Sequence, residues 1–417
     1  MNFDSFSFSP QINAGILAAG YTTPTPIQLR TIPSILEGRD VLGLAQTGTG
    51  KTAAFALPIL QHLMGGPRGK LRALILSPTR ELAEQTHTVI SAFGRRVNLR
   101  SLTIYGGVGA QPQISQLRAG VEIAVACPGR LLDLMGQRAV DLRNIQILVL
   151  DEADEMFDMG FLPSVRRILA ALPTPRQTLL FSATMPAEIR SLANEILSNP
   201  IVVEISPSRP VESVSHALYP VDQDHKTEIL LTLVRNTGSG PVLVFTRTKH
   251  RARRLAEQLA RAGVAAADLQ GNLSQNRRQA ALDGFRSGRV RVLVATDIAA
   301  RGLDVSCISH VINFDMPDTA DAYTHRIGRT GRMAERGAAF TLVTRDDLPM
   351  VHILERLLGK TIERRKLDGF ETIPIAATKI QTEGRAVAVG SRLSTSPVRA
   401  ESPSAWQHFG GQVHSRK

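Results

Sequence analysis

The sequence predicts an α/β protein made of two parallel β-sheets, each covered by helices on both faces. Three observations carry that expectation: short apolar runs rich in Val, Ile and Leu, helical stretches between them, and a polar break near mid-chain. Strands buried on both faces read as continuous apolar runs, whereas a half-solvated sheet would alternate. A length of 417 residues is too great for one ordinary domain, at about 100–200 residues each. Hydrophobic residues make up 43% and charged residues 21%, close to globular averages, which excludes a wholly disordered chain.

Val41–Ala45 is the first buried strand, and Thr52–Met64 is the helix after it. Ala73–Leu76, Ile123–Ala126, Ile147–Leu150 and Thr178–Phe181 repeat the strand pattern, and Ala187–Leu197 reads as a further helix. Ser206-Pro207-Ser208-Arg209-Pro210 then breaks the rhythm with residues suited to a linker. Val242–Phe245, Val290–Ala295, His310–Phe314 and Ala338–Val343 resume it in a second unit of similar size. From about Glu371 the rhythm stops, and Ser, Ala, Gly and Arg surround the only tryptophan, Trp406. Such a composition predicts a disordered, mildly basic tail. It reads as a solvated tail or as a nucleic-acid-binding arm, and scattered rather than blocked basic residues favour the first.

Lys and Arg number 49 against 37 Asp and Glu, a net charge of +12. That excess favours polyanionic partners through counterion release without identifying one. Two cysteines, Cys127 and Cys307, exclude a disulfide scaffold and a self-contained cysteine zinc site. No run of about 18 apolar residues exists, so no membrane span is expected. The start, Met1-Asn2-Phe3-Asp4, lacks the basic-then-apolar order of a secretory signal. A cytoplasmic protein is expected.

Two segments carry chemistry. Ala45-Gln46-Thr47-Gly48-Thr49-Gly50-Lys51-Thr52 follows a buried strand and opens a helix, as a phosphate-binding P-loop does, with Ala in the usual first Gly position. Glycines let backbone N–H groups converge on phosphate oxygens, and the helix N-terminus adds its dipole. Lys51 is expected to meet the β- and γ-phosphates and Thr52 to ligate Mg²⁺. The bland reading is a glycine-rich turn. The apolar run Ile147–Leu150 ends in Asp151-Glu152-Ala153-Asp154, acidic groups at the strand end where open α/β sheets bind ligands. Asp151 is expected to hold Mg²⁺ and Glu152 to orient and deprotonate a water. An acidic cluster alone is more often a solvated turn; the P-loop upstream argues against that here.

Asp151–Asp154 spells DEAD, and the chain from Phe3 to about Phe370 resembles the DEAD-box RNA helicase family. Gly20 to Gln28 resembles its Q motif, with Phe3 as the upstream aromatic. Pro78–Ala83, Gly106-Gly107, Pro128-Gly129-Arg130 and Ser182-Ala183-Thr184 match the remaining motifs of the first domain. Gln275 with Arg278, Ala295-Thr296-Asp297, Arg301-Gly302-Leu303-Asp304 and His325–Arg332 match those of the second. The wording HRIGRTGR is similar to the bacterial RhlE-like group. The resemblance implies two tandem RecA-like domains: a Q-motif region at 1–29, domain one at 30–205, a linker at 206–214, domain two at 215–370, and the tail at 371–417.

It also implies roles. Gln28 would pair in bidentate fashion with an adenine edge, which guanine cannot match, and Phe3 would help close the base pocket. Arg329 and Arg332 would reach across the cleft to the γ-phosphate as arginine fingers. Gly302 and Asp304 would lie at the nucleotide, with Asp304 on the ribose. His325 would contact the DEAD segment, and Asp154, Ser182 and Thr184 would link nucleotide state to RNA strain, unless the Ser182 and Thr184 hydroxyls are simply satisfied locally. Arg80, Gly107 and Arg130, with Gln275, Arg278 and Thr296 from domain two, would grip the RNA backbone. Such contacts position a strand without reading bases, and the 2′-OH would tell RNA from DNA.

The implied activity is an RNA-stimulated, Mg²⁺-dependent ATPase that separates short duplexes or remodels RNA–protein complexes. The rival is an ATP-gated RNA clamp with little turnover; intact Lys51, Asp151, Glu152, Arg329 and Arg332 argue for the enzyme. Ribosome-assembly or RNA-decay complexes are family partners between which nothing in the sequence chooses. Two positions depart from the pattern. Cys127 replaces the usual Thr before Pro-Gly-Arg, and a thiol is a weak donor. Gln270 replaces a common His.

Overall fold

The computed structural model describes residues 2–205, 214–300, 308–331, 337–367 and 369–370. Within Met1–Thr378, one compact unit, the strands form two seven-stranded sheets, ordered β3-β4-β2-β5-β6-β1-β7 and β10-β11-β9-β12-β13-β8-β14. The first comprises β1 (Val41–Leu44), β2 (Ala73–Leu76), β3 (Ser101–Ile104), β4 (Ile123–Ala126), β5 (Ile147–Leu150), β6 (Gln177–Ser182) and β7 (Ile201–Glu204). The second comprises β8 (Val214–Pro220), β9 (Val242–Phe245), β10 (Ala266–Leu269), β11 (Val292–Ala295), β12 (His310–Asn313), β13 (Gly337–Val343) and β14 (Glu363–Arg364). Every pairing is parallel. This is the tandem RecA-like architecture that the motifs implied.

Each sheet divides its lobe into two cores. In lobe one, Ile75, Val125 and Val149 point to one face, where Phe55, Ile59 and Phe93 cover them. Leu74, Leu148 and Leu180 point to the other, against Leu131, Val165 and Ile189. Lobe two repeats the scheme with Val244, Val294 and Ile312 on one side and Leu243, Leu293 and Val311 on the other. Fully burying such a side chain contributes about 1.5–3 kcal/mol, so these two-faced strands hold the lobes rigid enough to fix loops at their ends.

β8 begins at Val214, the last residue assigned to the linker. Residues 206–213 and the tail from 371 onward lie outside the described residues, as do Gly302, Asp304 and Arg332. Among the described residues no helix is long and apolar enough to cross a membrane.

Candidate active site

Three neighbouring strands of lobe one, β5, β6 and β1, end at the same edge and deliver the chemistry. After β1 the loop starts with the Ala45 amide donating to the Ser182 carbonyl at 3.0 Å. Gly48 and Gly50 turn it through φ of +87° and +96°, left-handed values that favour glycine. A Cβ at Gly50 would stand 2.5 Å from Gln28 Nε2, so glycine there is required twice over. Thr49 bonds back to the Gln46 carbonyl at 2.7 Å. Lys51 opens the helix Lys51–Leu63 with Thr52 beside it.

Lys51 is only 4% exposed, and its Nζ lies 3.0 Å from Glu152 Oε2. Burial works against its charge, but Glu152 and Asp151 outweigh it and hold the ammonium above its usual pKa. The Thr47 hydroxyl donates to the other Glu152 oxygen at 2.8 Å. Burial first, then the Glu152 charge, pushes Asp151 up to about 7 against the pull of Lys51. Glu152 itself has φ +53°; a non-glycine residue held there stores about 1–3 kcal/mol, a strain that collects at functional sites.

Asp154 ties β5 to β6. Its Oδ2 accepts from the Thr184 amide at 2.8 Å, the Thr184 hydroxyl at 2.9 Å and the Ala183 amide at 3.2 Å. Its own amide donates to Ser182 Oγ at 3.2 Å. The structure thus brings the expected coupling residues Asp154, Ser182 and Thr184 into one hydrogen-bonded unit behind Glu152.

Lobe two contributes from the end of the helix Ala320–Ile327. A cavity of about 90 Å³ is lined by Gln46, Thr47, Glu152 and Asp154 from lobe one and by His325 and Arg329 from lobe two. Arg329 Nη2 lies 3.7 Å from Glu155 Oε1, both side chains buried. The backbone there is anchored by Arg326, whose guanidinium grips Asp297 at 2.6 and 2.7 Å. It also donates to the Asp315 carbonyl at 2.7 Å and sits over the Phe245 ring.

Whether the residues fit a nucleotide with its metal can be tested on the buried polar atoms. Asp151 Oδ1 is buried without a hydrogen-bond partner, at the same edge as the Lys51 ammonium and the Thr52 hydroxyl. Among the described residues no three His, Cys, Asp or Glu side chains could hold a metal by themselves. That donor set suits Mg²⁺, which takes one or two protein oxygens and completes its shell with phosphate and water. The residues fit.

Both residues expected at the base site are buried. Gln28 is 1% exposed, its Oε1 accepts from the Thr25 amide at 2.9 Å, and its Nε2 donates to the Gly50 carbonyl at 3.1 Å. Each atom keeps a second position, one N–H on Nε2 and one lone pair on Oε1, for a base edge. Phe3 is 4% exposed and packs edge-on against Phe6 and Tyr21. It belongs to the lobe-one core.

A second crevice, of about 500 Å³, lies between the lobes and is lined by Arg80, Arg130, Cys127, Arg278 and Ile298 among others. Gly107 (φ +76°) leaves no room for a Cβ because Arg80 lies on it. Arg130 donates to the Val108 carbonyl at 3.1 Å. Arg80 and Gln275, from opposite lobes, bond at 2.9 Å, and Thr296 follows β11 at the same edge as the Asp297 that holds Arg326. Cys127 stands at the N-cap of the helix Pro128–Gly136 without capping it. Gln270 accepts from the Asn272 amide at 2.7 Å, while its carbonyl meets Arg278 at 3.4 Å, so this departure shapes the turn behind Arg278. Sequence reasoning passed over Glu81, Glu155 and Arg326. The first two meet their partners only when the lobes come together, a signal no local pattern carries.

A glycine loop feeding a buried lysine, an acidic strand end beside it, and arginine from a second RecA-like lobe define a two-lobed P-loop NTPase. Residues 25–192 match the DEAD/DEAH box helicase family and 225–334 the helicase conserved C-terminal domain. RNA helicase CrhR of Synechocystis sp. is 44% identical over 346 residues, 82% of this chain and 70% of that protein. Among solved structures, S. cerevisiae Dbp5 bound to RNA and ADP BeF3 superposes with a TM-score of 0.76 at 31% identity, covering 88% of this chain and 95% of that one. A Dbp5 variant bound to Nup159, a Gle1 variant, IP6 and ADP gives 0.60 at 31% identity, with 87% and 96% covered. The chain belongs to the DEAD-box family of ATP-dependent RNA helicases.

Proposed function

We propose that the protein is an RNA-stimulated, Mg²⁺-dependent ATPase that opens short RNA duplexes or remodels RNA–protein complexes in the cytoplasm. The observation that carries this is the cavity shared by Glu152 and Asp154 of one lobe with His325 and Arg329 of the other. The candidate catalytic groups are divided between the lobes, Lys51, Asp151 and Glu152 on one and Arg329 and Arg332 on the other, so turnover requires the lobes together, and whatever favours that arrangement accelerates it. The likeness to Dbp5 bound to RNA and ADP BeF3, at 31% identity over 88% of this chain, supports the same reading.

In this reading the loop Ala45–Gly50 and Lys51 cradle the triphosphate, and Thr52 with Asp151 hold Mg²⁺. The metal, when bound, neutralises charge on the phosphate oxygens. Glu152 trades Thr47 and Lys51 for a water, which it orients and deprotonates. Arg329, with Arg332, stabilises charge spreading over the transferred group. Gln28 uses the remaining positions of its amide for an adenine edge, with Phe3 buttressing Tyr21 nearby, and Gly302 and Asp304 serve the nucleotide, Asp304 at the ribose. The Asp154–Ser182–Thr184 unit transmits the state of Glu152 to the RNA crevice, where Arg80, Gly107, Arg130, Gln275, Arg278 and Thr296 hold the backbone.

Glu152→Gln tests it. The variant should bind ATP and RNA together yet lose RNA-stimulated phosphate release by at least about 100-fold, as loss of a general base does. Normal turnover in that variant would remove Glu152 from the chemistry.

A further inference from the structure

Three segments of lobe one, 65–72, 95–100 and 117–122, lead into the starts of β2, β3 and β4. The candidate RNA contacts Arg80, Gly107 and Arg130 follow the other ends of the same parallel strands. Strands of four residues, rising about 3.3 Å per residue, and the turns at their ends separate the two edges by about 20 Å. Six cations stand exposed on these segments: Arg68, Lys70, Arg95, Arg96, Arg100 and Arg118. Among the described residues none of the six pairs with a carboxylate.

A buried frame fixes them in place. Arg72, 2% exposed, donates to the Leu63 and Gly65 carbonyls, each at 2.6 Å. Glu122, 1% exposed, spends its two oxygens on the Gly69 and Arg100 amides. At the surface Arg68 donates to the Asn98 carbonyl at 3.3 Å and Arg100 to the Ala119 carbonyl at 3.0 Å. Asp141, the acidic neighbour of Lys70, is engaged through both oxygens by Arg143 at 2.9 Å. Like charges held together repel one another, and a polyanion relieves that repulsion. Five of the six are arginines, whose planar fork matches phosphate. No large apolar side chain is exposed on these segments, unlike the charge-depleted core of a protein interface.

We propose that this basic corner is a second RNA site, which holds the phosphate backbone of RNA flanking the stretch in the crevice. The inference rests on the helicase reading and adds an anchor to it. The crevice grips the stretch to be opened, and the corner holds the neighbouring segment, so the two sites gain from each other's effective concentration.

The triple variant Arg95→Gln/Arg96→Gln/Arg118→Gln removes three charges that take no part in the frame. Anisotropy with a non-hydrolysable ATP analogue should compare a short RNA oligomer with the same oligomer extended by a stable hairpin. The oligomer should bind wild type and variant alike, with its maximal ATPase unchanged. The extended RNA should bind the variant about 10-fold more weakly at low salt, and the slope of log affinity against log salt should fall by about 2–3, as three lost phosphate contacts require. Arg95→Lys/Arg96→Lys/Arg118→Lys, which restores the charge, should recover most of that affinity. The tail, present in every protein compared, cancels. An equal loss for both RNAs, or no loss for either, would overturn the second site and leave the helicase reading intact. A wild-type ATPase indifferent to RNA would instead overturn that reading and this inference with it.

Discussion

Gly107 is a residue whose chemistry is all in what it lacks. Its φ of +76° and the Arg80 guanidinium lying where a Cβ would project leave room for hydrogen alone. Gly107→Ala should displace Arg80 and strain the backbone by about 1–2 kcal/mol. Titration with labelled RNA should show affinity reduced about tenfold, the loss of one charge-assisted contact from the displaced Arg80, with ATP affinity unchanged. Cys127 is the complementary case, a residue made inert by its surroundings. Burial, with the Glu81 charge adding, pushes its thiol up to about 12 against the pull of Arg80. The thiolate is the reactive form, so at pH 8 native Cys127 should alkylate with iodoacetamide at least about 100 times more slowly than in urea. Peptide mass spectrometry separates it from Cys307. The rate should climb with pH well past 9, where an exposed thiol would already have levelled off.

At the scale of elements, the strands legible in the sequence were the inner ones. β1, β2, β4, β5 and β6 of the first sheet, and β9, β11, β12 and β13 of the second, have apolar neighbours on both faces and read as continuous apolar runs. The edge strands β3, β7, β10 and β14 were not read. β7, with Val202 58% exposed, has no reason to carry a buried run; β8 is the inner strand that escapes the pattern, because Ser215 and His216 interrupt its apolar run. Order along the sheets also exposes a correspondence the motifs conceal. β1 and β8 occupy the same place in their sheets, and each is followed by a helix opening on Lys-Thr: Lys51–Leu63 and Lys226–Asn236. The loop before Lys226 holds no glycine, and its Nζ is spent on the Phe314 carbonyl at 3.1 Å, beside Asp347. Burial holds that ammonium below its usual pKa. The second lobe therefore keeps the lysine as a strut. Calorimetry should find one ATP per chain, and Lys226→Met should leave ATP affinity within about twofold while lowering the melting temperature; Lys51→Met should abolish binding of the phosphates.

The whole molecule adds what neither lobe contains. Within a lobe, motif spacing located the loop Ala45–Thr52, the acidic strand end and the Asp154 network, because each is fixed by consecutive residues on a strand–turn–helix. The pairs Arg80–Gln275, Glu81–Arg278 and Glu155–Arg329 span 174 residues or more in sequence and owe their meeting to the arrangement of lobes. Both ligand crevices are bounded by the same two bodies, so a ligand that favours closure at one necessarily favours it at the other. Linkage makes the coupling equal in both directions. RNA should therefore tighten a non-hydrolysable ATP analogue by the same factor that the analogue tightens RNA, on the order of 5–150-fold for ordinary allosteric couplings. Arg329→Ala removes a closure contact from the nucleotide side alone. It should reduce both factors together. Two anisotropy titrations and two nucleotide titrations close the cycle; a coupling factor of one would show that the lobes bind their ligands independently, and a factor that survives Arg329→Ala would remove Arg329 from the coupling.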